Sequence, residues 1–234
     1  MDLLAGFWAR ITATVPALPS GVLLATAAVA ALLILSPTLW QLTRHVVTIA
    51  HEGAHGVVAL AAGRRLSGIR LHSDTSGLTL SAGRPTGLGM VLTCAAGYTG
   101  PALFGLGAAA LLAAGHAVGL LWALLGLLAL LLVQIRNWYG LWSVLVTGGL
   151  VFAATWALPP NGQAAFAALA TWFLLLAAPR TVVELQSARR RRGARDSDAD
   201  QLARLTGLPG LVWVGVFLLV DVGALALSAR WLLG

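Results

Sequence analysis

Charge is scarce in this chain. Asp, Glu, Lys and Arg make up 10% of its 234 residues, against about 25% in an ordinary soluble domain. So few charges could not cover the surface of a soluble fold. Lysine is missing altogether, and all fifteen cations are arginines. Glutamate occurs only at Glu52 and Glu184. The one cysteine, Cys94, excludes an intramolecular disulfide and a thiolate zinc cluster. What is abundant is hydrocarbon, at 59% hydrophobic residues, which puts most of the chain in lipid.

Runs of about 17–25 apolar residues read as spanning helices. Seven are found, at residues 21–43, 45–62, 87–114, 117–135, 138–157, 163–179 and 209–232. The expected fold is an all-α membrane protein of about seven transmembrane helices, forming one polytopic domain over residues 1–234. With a cytoplasmic N-terminus and alternating spans, Arg10, Arg64, Arg65, Arg70, Arg84, Arg136, Arg180, Arg189, Arg190, Arg191, Arg192, Arg195 and Arg204 fall inside. Only Arg44 and Arg230 fall outside. That bias fixes the expected orientation. It also accounts for a pI near 11.4 without nucleic acid. The expected partner of these cations is the lipid bilayer. Missing lysine beside abundant Ala, Gly and Arg is the bias of a GC-rich bacterial genome, so a bacterial plasma membrane is the expected location.

Two polar segments interrupt the helices. Residues 63–86 contain short strand-like pieces at 69–71 and 78–80, separated by the turn-forming Ser73-Asp74-Thr75-Ser76-Gly77. A small β-hairpin at the cytoplasmic membrane surface is expected there, after the second span. Residues 182–207 form an Arg-rich cytoplasmic loop in which Ser197-Asp198 would cap a short helix.

The chemistry lies in His51-Glu52-Gly53-Ala54-His55, inside the second span. Residues i and i+4 share a helix face, so both imidazoles can reach one metal ion. Glu52 between them is placed to act as general base for a water; this is the H-E-x-x-H arrangement of zinc metalloproteases. The plainer alternative is polar packing. It must bear about 2.5–3.5 kcal/mol for each charged, unpaired group at the bilayer centre, whereas a shared metal pairs them.

The chain resembles the site-2 protease family of intramembrane zinc metalloproteases, most closely its compact bacterial branch. The residues that carry the resemblance run in order. His51-Glu52-Gly53-Ala54-His55-Gly56 is followed by Gly63-Arg64 and the hairpin with Ser76-Gly77, then by Ala96-Gly97-Tyr98-Thr99-Gly100-Pro101-Ala102. The motif-bearing core covers about residues 45–115. The resemblance implies a Zn2+ cofactor held by His51 and His55, catalysis through Glu52, and a membrane protein or peptide substrate cut within or near the bilayer.

A catalytic zinc commonly has three protein ligands and an open position. The family takes its third from a Leu-Asp-Gly motif, which this chain lacks. Depth favours Asp221, about 12 residues or roughly 18 Å into the last span. Resemblance favours Asp198, in Ser197-Asp198-Ala199-Asp200, and the expected donor set is His51, His55 and Asp198. Asp196 and Asp200 read as solvated neighbours, and His45, His72 and His116 as ordinary polar residues. Asn137 is a candidate for holding a substrate carbonyl, or else an interfacial anchor. A non-proteolytic metal-binding protein of the same fold and a proton-coupled transporter are the competing functions.

Overall fold

The computed structural model describes residues 2–192 and 197–234. Arg195 and Asp196 lie outside the described residues. In chain order the elements are helices α1 (Asp2–Thr12), α2 (Ser20–Leu35) and α3 (Pro37–Ala61), strands β1 (Arg65–Leu71) and β2 (Gly77–Ala82), then α4 (Leu88–Ala113), α5 (Ala117–Gln134), α6 (Trp138–Ala157), α7 (Pro160–Arg192), α8 (Asp198–Thr206) and α9 (Gly210–Leu233). By length and composition α4, α5, α6, α7 and α9 can each cross a membrane, and α2 with α3 passes as a bent pair.

The first break differs from the expected one. The apolar run divides at Ser36-Pro37, not at Arg44, and the axes of α2 and α3 are bent by 103°. Proline is favoured at the first helical position and pushes the residue before it into extended backbone. Ser36 obeys, with φ −73° and ψ 120°. Arg44 therefore sits inside α3, where it meets Glu184 of α7 at 3.3 Å, and Arg180 meets the same carboxylate at 3.1 Å. Trp40 donates its Nε1–H to Glu184 at 2.8 Å, with the Arg180 guanidinium 4.4 Å from its ring centre. Two arginines bracketing one carboxylate lie at one depth, so the expected separation of Arg44 from Arg180 across the bilayer does not hold.

The N-terminal segment moves with this change. Val15 N–H donates to the Gly115 carbonyl at 2.8 Å, in the turn between α4 and α5. Val15, Leu18, Gly115 and Trp231 line one small cavity. Residues 15–18 thus share the end of the bundle with the end of α9, opposite the hairpin. Seven alternating spans would have put them at the hairpin end.

The hairpin forms with nearly the expected strands, paired antiparallel from Arg65↔Ala82 to Leu71↔Gly77. It does not lie flat at the helix end. It folds back along α3, so that Thr48 donates to the Thr75 carbonyl at 2.9 Å, one turn beyond His51. Ile69 and Leu71 are buried beside Ile49 and Val144. At the other end buried Arg64 donates to Ser81 Oγ at 3.0 Å and to the Arg84 carbonyl at 2.6 Å. The outer edge of β1 is taken by residues 135–137: Ile69 bridges Ile135 in parallel, and Arg136 N–H donates to the Ile69 carbonyl at 2.9 Å. The Arg-rich segment also differs from a loop. Good helix formers after Pro179 carry α7 on to Arg192.

Cysteines placed at Ala13 and Asn161 should react with an impermeant thiol reagent from one side of the membrane, and one at Arg84 from the other. Labelling of Ala13→Cys together with Arg84→Cys would restore an additional crossing before α3.

Candidate metal centre

The His51–His55 pair emerges from α3 on the face that packs against α4. Its two Nε2 atoms are 3.1 Å apart. Asp198 Oδ2, from the first turn of α8, lies 3.3 Å from each of them. The triad is a group of donors that could hold a metal ion. Donors of a tetrahedral zinc at about 2.0–2.2 Å stand about 3.3 Å apart, so the spacing of these three fits that ion.

Room for an ion comes from Gly97. A Cβ added there would overlap His55 Nε2 and stand 2.6 Å from His51 Nε2. The missing side chain leaves open the point on which both imidazoles converge. Small residues continue the close approach, since Gly100 admits the Ala54 methyl and Gly105 admits Leu175. Pro101 lies inside α4 and has no N–H to offer the Gly97 carbonyl four residues earlier.

Outer contacts orient the donors. His55 Nδ1 lies 2.6 Å from the Thr93 carbonyl; an Nδ1–H donating there leaves Nε2 as the ligand atom, the usual arrangement of a metal-bound imidazole. His51 meets the Tyr98 ring edge-on at 4.8 Å between centroids. Tyr98 in turn stacks on Phe217 of α9 at 5.3 Å. Asp198 reaches the site because α8 folds back into the bundle. Ser197 caps it by accepting the Asp200 N–H, and Gly207 ends it in left-handed backbone at φ 76°. Ala199 and Leu202 are fully buried against Val182, Val214 and Phe217. Burial would raise the Asp198 carboxyl, but the two imidazoles outweigh it and hold it below the ordinary carboxylate range.

Glu52 is buried at 4% exposure and faces the hairpin. Thr79 of β2 donates its hydroxyl to Glu52 Oε2 at 2.6 Å and also contacts the Glu52 carbonyl at 3.1 Å. Any side chain at Gly77 would overlap the Glu52 carboxylate. The candidate general base thus lies one residue from the first imidazole, beneath a strand.

The remaining candidates are elsewhere. Asp221 is fully buried in α9, and neither carboxylate oxygen has a hydrogen-bond partner among the described residues; it is not in the triad. Asp200 is not solvated, since it pairs with Arg189 at 2.6 Å. His45 contacts the Tyr139 hydroxyl at 3.0 Å, and His72 contacts Ser76 Oγ at 3.1 Å. Asn137 is engaged with the β1 backbone, accepting from Leu71 N–H and donating to its carbonyl at 2.6 Å. Thr93 and Thr79 were not singled out from the sequence, and Tyr98 was read only as part of the Ala96–Ala102 motif. Thr93 stands four residues before Gly97, on the same helix face, and that spacing was the available signal.

A family model described as Peptidase M50B-like matches residues 24–228. No curated protein and no solved structure matches the chain.

Gly97→Ala should abolish stoichiometric metal binding, because its methyl would occupy the space on which the two imidazoles converge. Gly107→Ala, whose new methyl meets nothing within 4 Å, should bind metal normally. Mass-spectrometric metal counts on detergent-purified protein read both, and full occupancy in Gly97→Ala would place the ion elsewhere.

Proposed function

The chain belongs to the Peptidase M50B-like family, a family of proteases, and we propose that it is an intramembrane zinc metalloprotease cutting peptide bonds in or near membrane-spanning substrates. The observation that carries this reading is the convergence of three donors under Gly97, one residue from a buried glutamate. His51, His55 and Asp198 would hold the zinc. When bound, zinc supplies Lewis acidity and makes water acidic enough to be a nucleophile near neutral pH.

The protein's own part is proton transfer and positioning. The Glu52 carboxylate accepts the proton of the attacking water and returns it to the departing amide nitrogen. Thr79 holds Glu52 Oε2 by its hydroxyl, which fixes the carboxylate in one rotamer against β2. His55, donating through Nδ1 to Thr93, keeps Nε2 turned inward.

Cleavage requires an unwound substrate, and the hairpin offers a template for one. Because residues 135–137 occupy the outer edge of β1, the edge of β2 is, among the described residues, the one without a paired strand. An extended peptide pairing there by β-augmentation would run beside the Glu52 carboxylate. Asn137 is committed to Leu71, so no contact with a substrate carbonyl is assigned to it. The hairpin end carries Arg64, Arg65, Arg70, Arg84 and Arg136, while Arg10 and Arg230 sit at the other. That asymmetry supports a cytoplasmic mouth at the hairpin, in a bacterial plasma membrane.

Glu52→Gln should keep zinc and lose cleavage of a single-span reporter by at least about 10²-fold, the usual share of a general base. His51→Ala and His55→Ala should lose both metal and cleavage. Asp198→Ala should behave like the histidine variants, whereas Asp221→Ala keeps its metal. Full cleavage by Glu52→Gln would sink the protease assignment at these residues, and the opposite ranking of the two aspartates would move the ligand to Asp221.

A further inference from the structure

The third donor stands on the shortest packed helix beside the site, and its placement needs a cause. Helix α8 has nine residues, about 13 Å, and isolated helices of that length are unstable in water. Two acids in its first turn, Asp198 and Asp200, are two residues apart and so point to opposite sides of the helix. Asp198 faces the imidazoles. Asp200 faces the last turns of α7, where Arg189 donates from Nη2 to Oδ1 at 2.6 Å and from Nε to Oδ1 and Oδ2 at 3.1 and 3.3 Å. Gln186 holds the other arm of the guanidinium at 3.0 Å. Any side chain at Gly210, at the start of α9, would overlap that guanidinium. Ser197 Oγ donates to Asp200 Oδ2 at 2.5 Å, closing the first turn on the same carboxylate.

We propose that Arg189 and Asp200 are positioning residues for the metal site, an ion pair that fixes the start of α8 and so sets where the Asp198 carboxylate meets His51 and His55. This deepens the metalloprotease reading and rests on it. The pair is well made for the task. A bidentate guanidinium–carboxylate contact fixes orientation as well as distance, and both side chains are less than one-fifth exposed, which limits screening by solvent. Ala199 and Leu202 hold α8 by apolar contacts, which are non-directional and let a helix slide or turn about its axis. The ion pair removes that freedom at the end that carries the donor. Cys94, donating its thiol to Gln201 Oε1 at 3.2 Å, adds a second polar tie on the α4 side.

Cobalt(II) added to the purified full-length protein in detergent tests this, because its visible absorption reports ligand number directly. Wild type should show the intense bands of a four-coordinate site. Arg189→Ala and the isosteric Asp200→Asn should show weak bands of higher coordination and bind cobalt and zinc about 10–100-fold more weakly, as is usual when a group supporting a ligand is removed. Arg189→Lys, which keeps the charge but not the fork, should fall between. Arg190→Ala, at the exposed neighbouring position, should match wild type. Unchanged spectra and affinities in Arg189→Ala and Asp200→Asn, even with a lower melting temperature, would overturn the proposal and leave the pair a structural tie. Absence of any cobalt site in wild type would overturn the metalloprotease reading with it.

Discussion

The structure depends on three ionisable groups meeting at one point inside a bundle that is mostly hydrocarbon. Each would be costly there alone. Their donor atoms lie 3.1–3.3 Å apart, close enough for a shared cation or proton to hold them together. Much else follows from that demand. α4 must pass directly over the imidazoles, so residue 97 has no side chain to give. α8 must return from the end of α7 to bring a carboxylate. The hairpin must cover Glu52, so Gly77 stands where any Cβ would strike it.

The same demand explains the hairpin's unusual course. Irregular backbone at membrane depth survives only where protein or water satisfies it. β1 is satisfied on both sides, by β2 and by residues 135–137. Arg64 binds the two ends of the hairpin together from a buried position. Among the described residues no strand pairs with the outer edge of β2, and Thr79 of that strand meets Glu52. On the proposed function, the polar strand beside α3 is also the surface that an unwound substrate would use.

The His-Glu-x-x-His face, the hairpin and most helices were legible in the sequence, because each rests on local spacing: i, i+4 on α3, alternation around Ser73–Gly77, apolar length elsewhere. Errors arose where a local rule met a tertiary one. Arg44 looked like a boundary because it is charged, but Glu184 of a distant helix accommodates it, and the true break belongs to Pro37. That single displacement also moved the N-terminal segment to the opposite end of the bundle. Asp221 was attractive by depth, yet depth says nothing about which way a residue faces in α9. Asp200 read as solvated because its partner, Arg189, is eleven residues away on a different helix.

On the proposed function, one ion sits between His51, His55 and Asp198. An anomalous-scattering map at the zinc edge, from crystals of the zinc-loaded protein, tests it most directly. One peak is expected beneath Gly97, with both Nε2 atoms and an Asp198 oxygen at about 2.0–2.2 Å. A peak beside Asp221, or none near the two imidazoles, would contradict it.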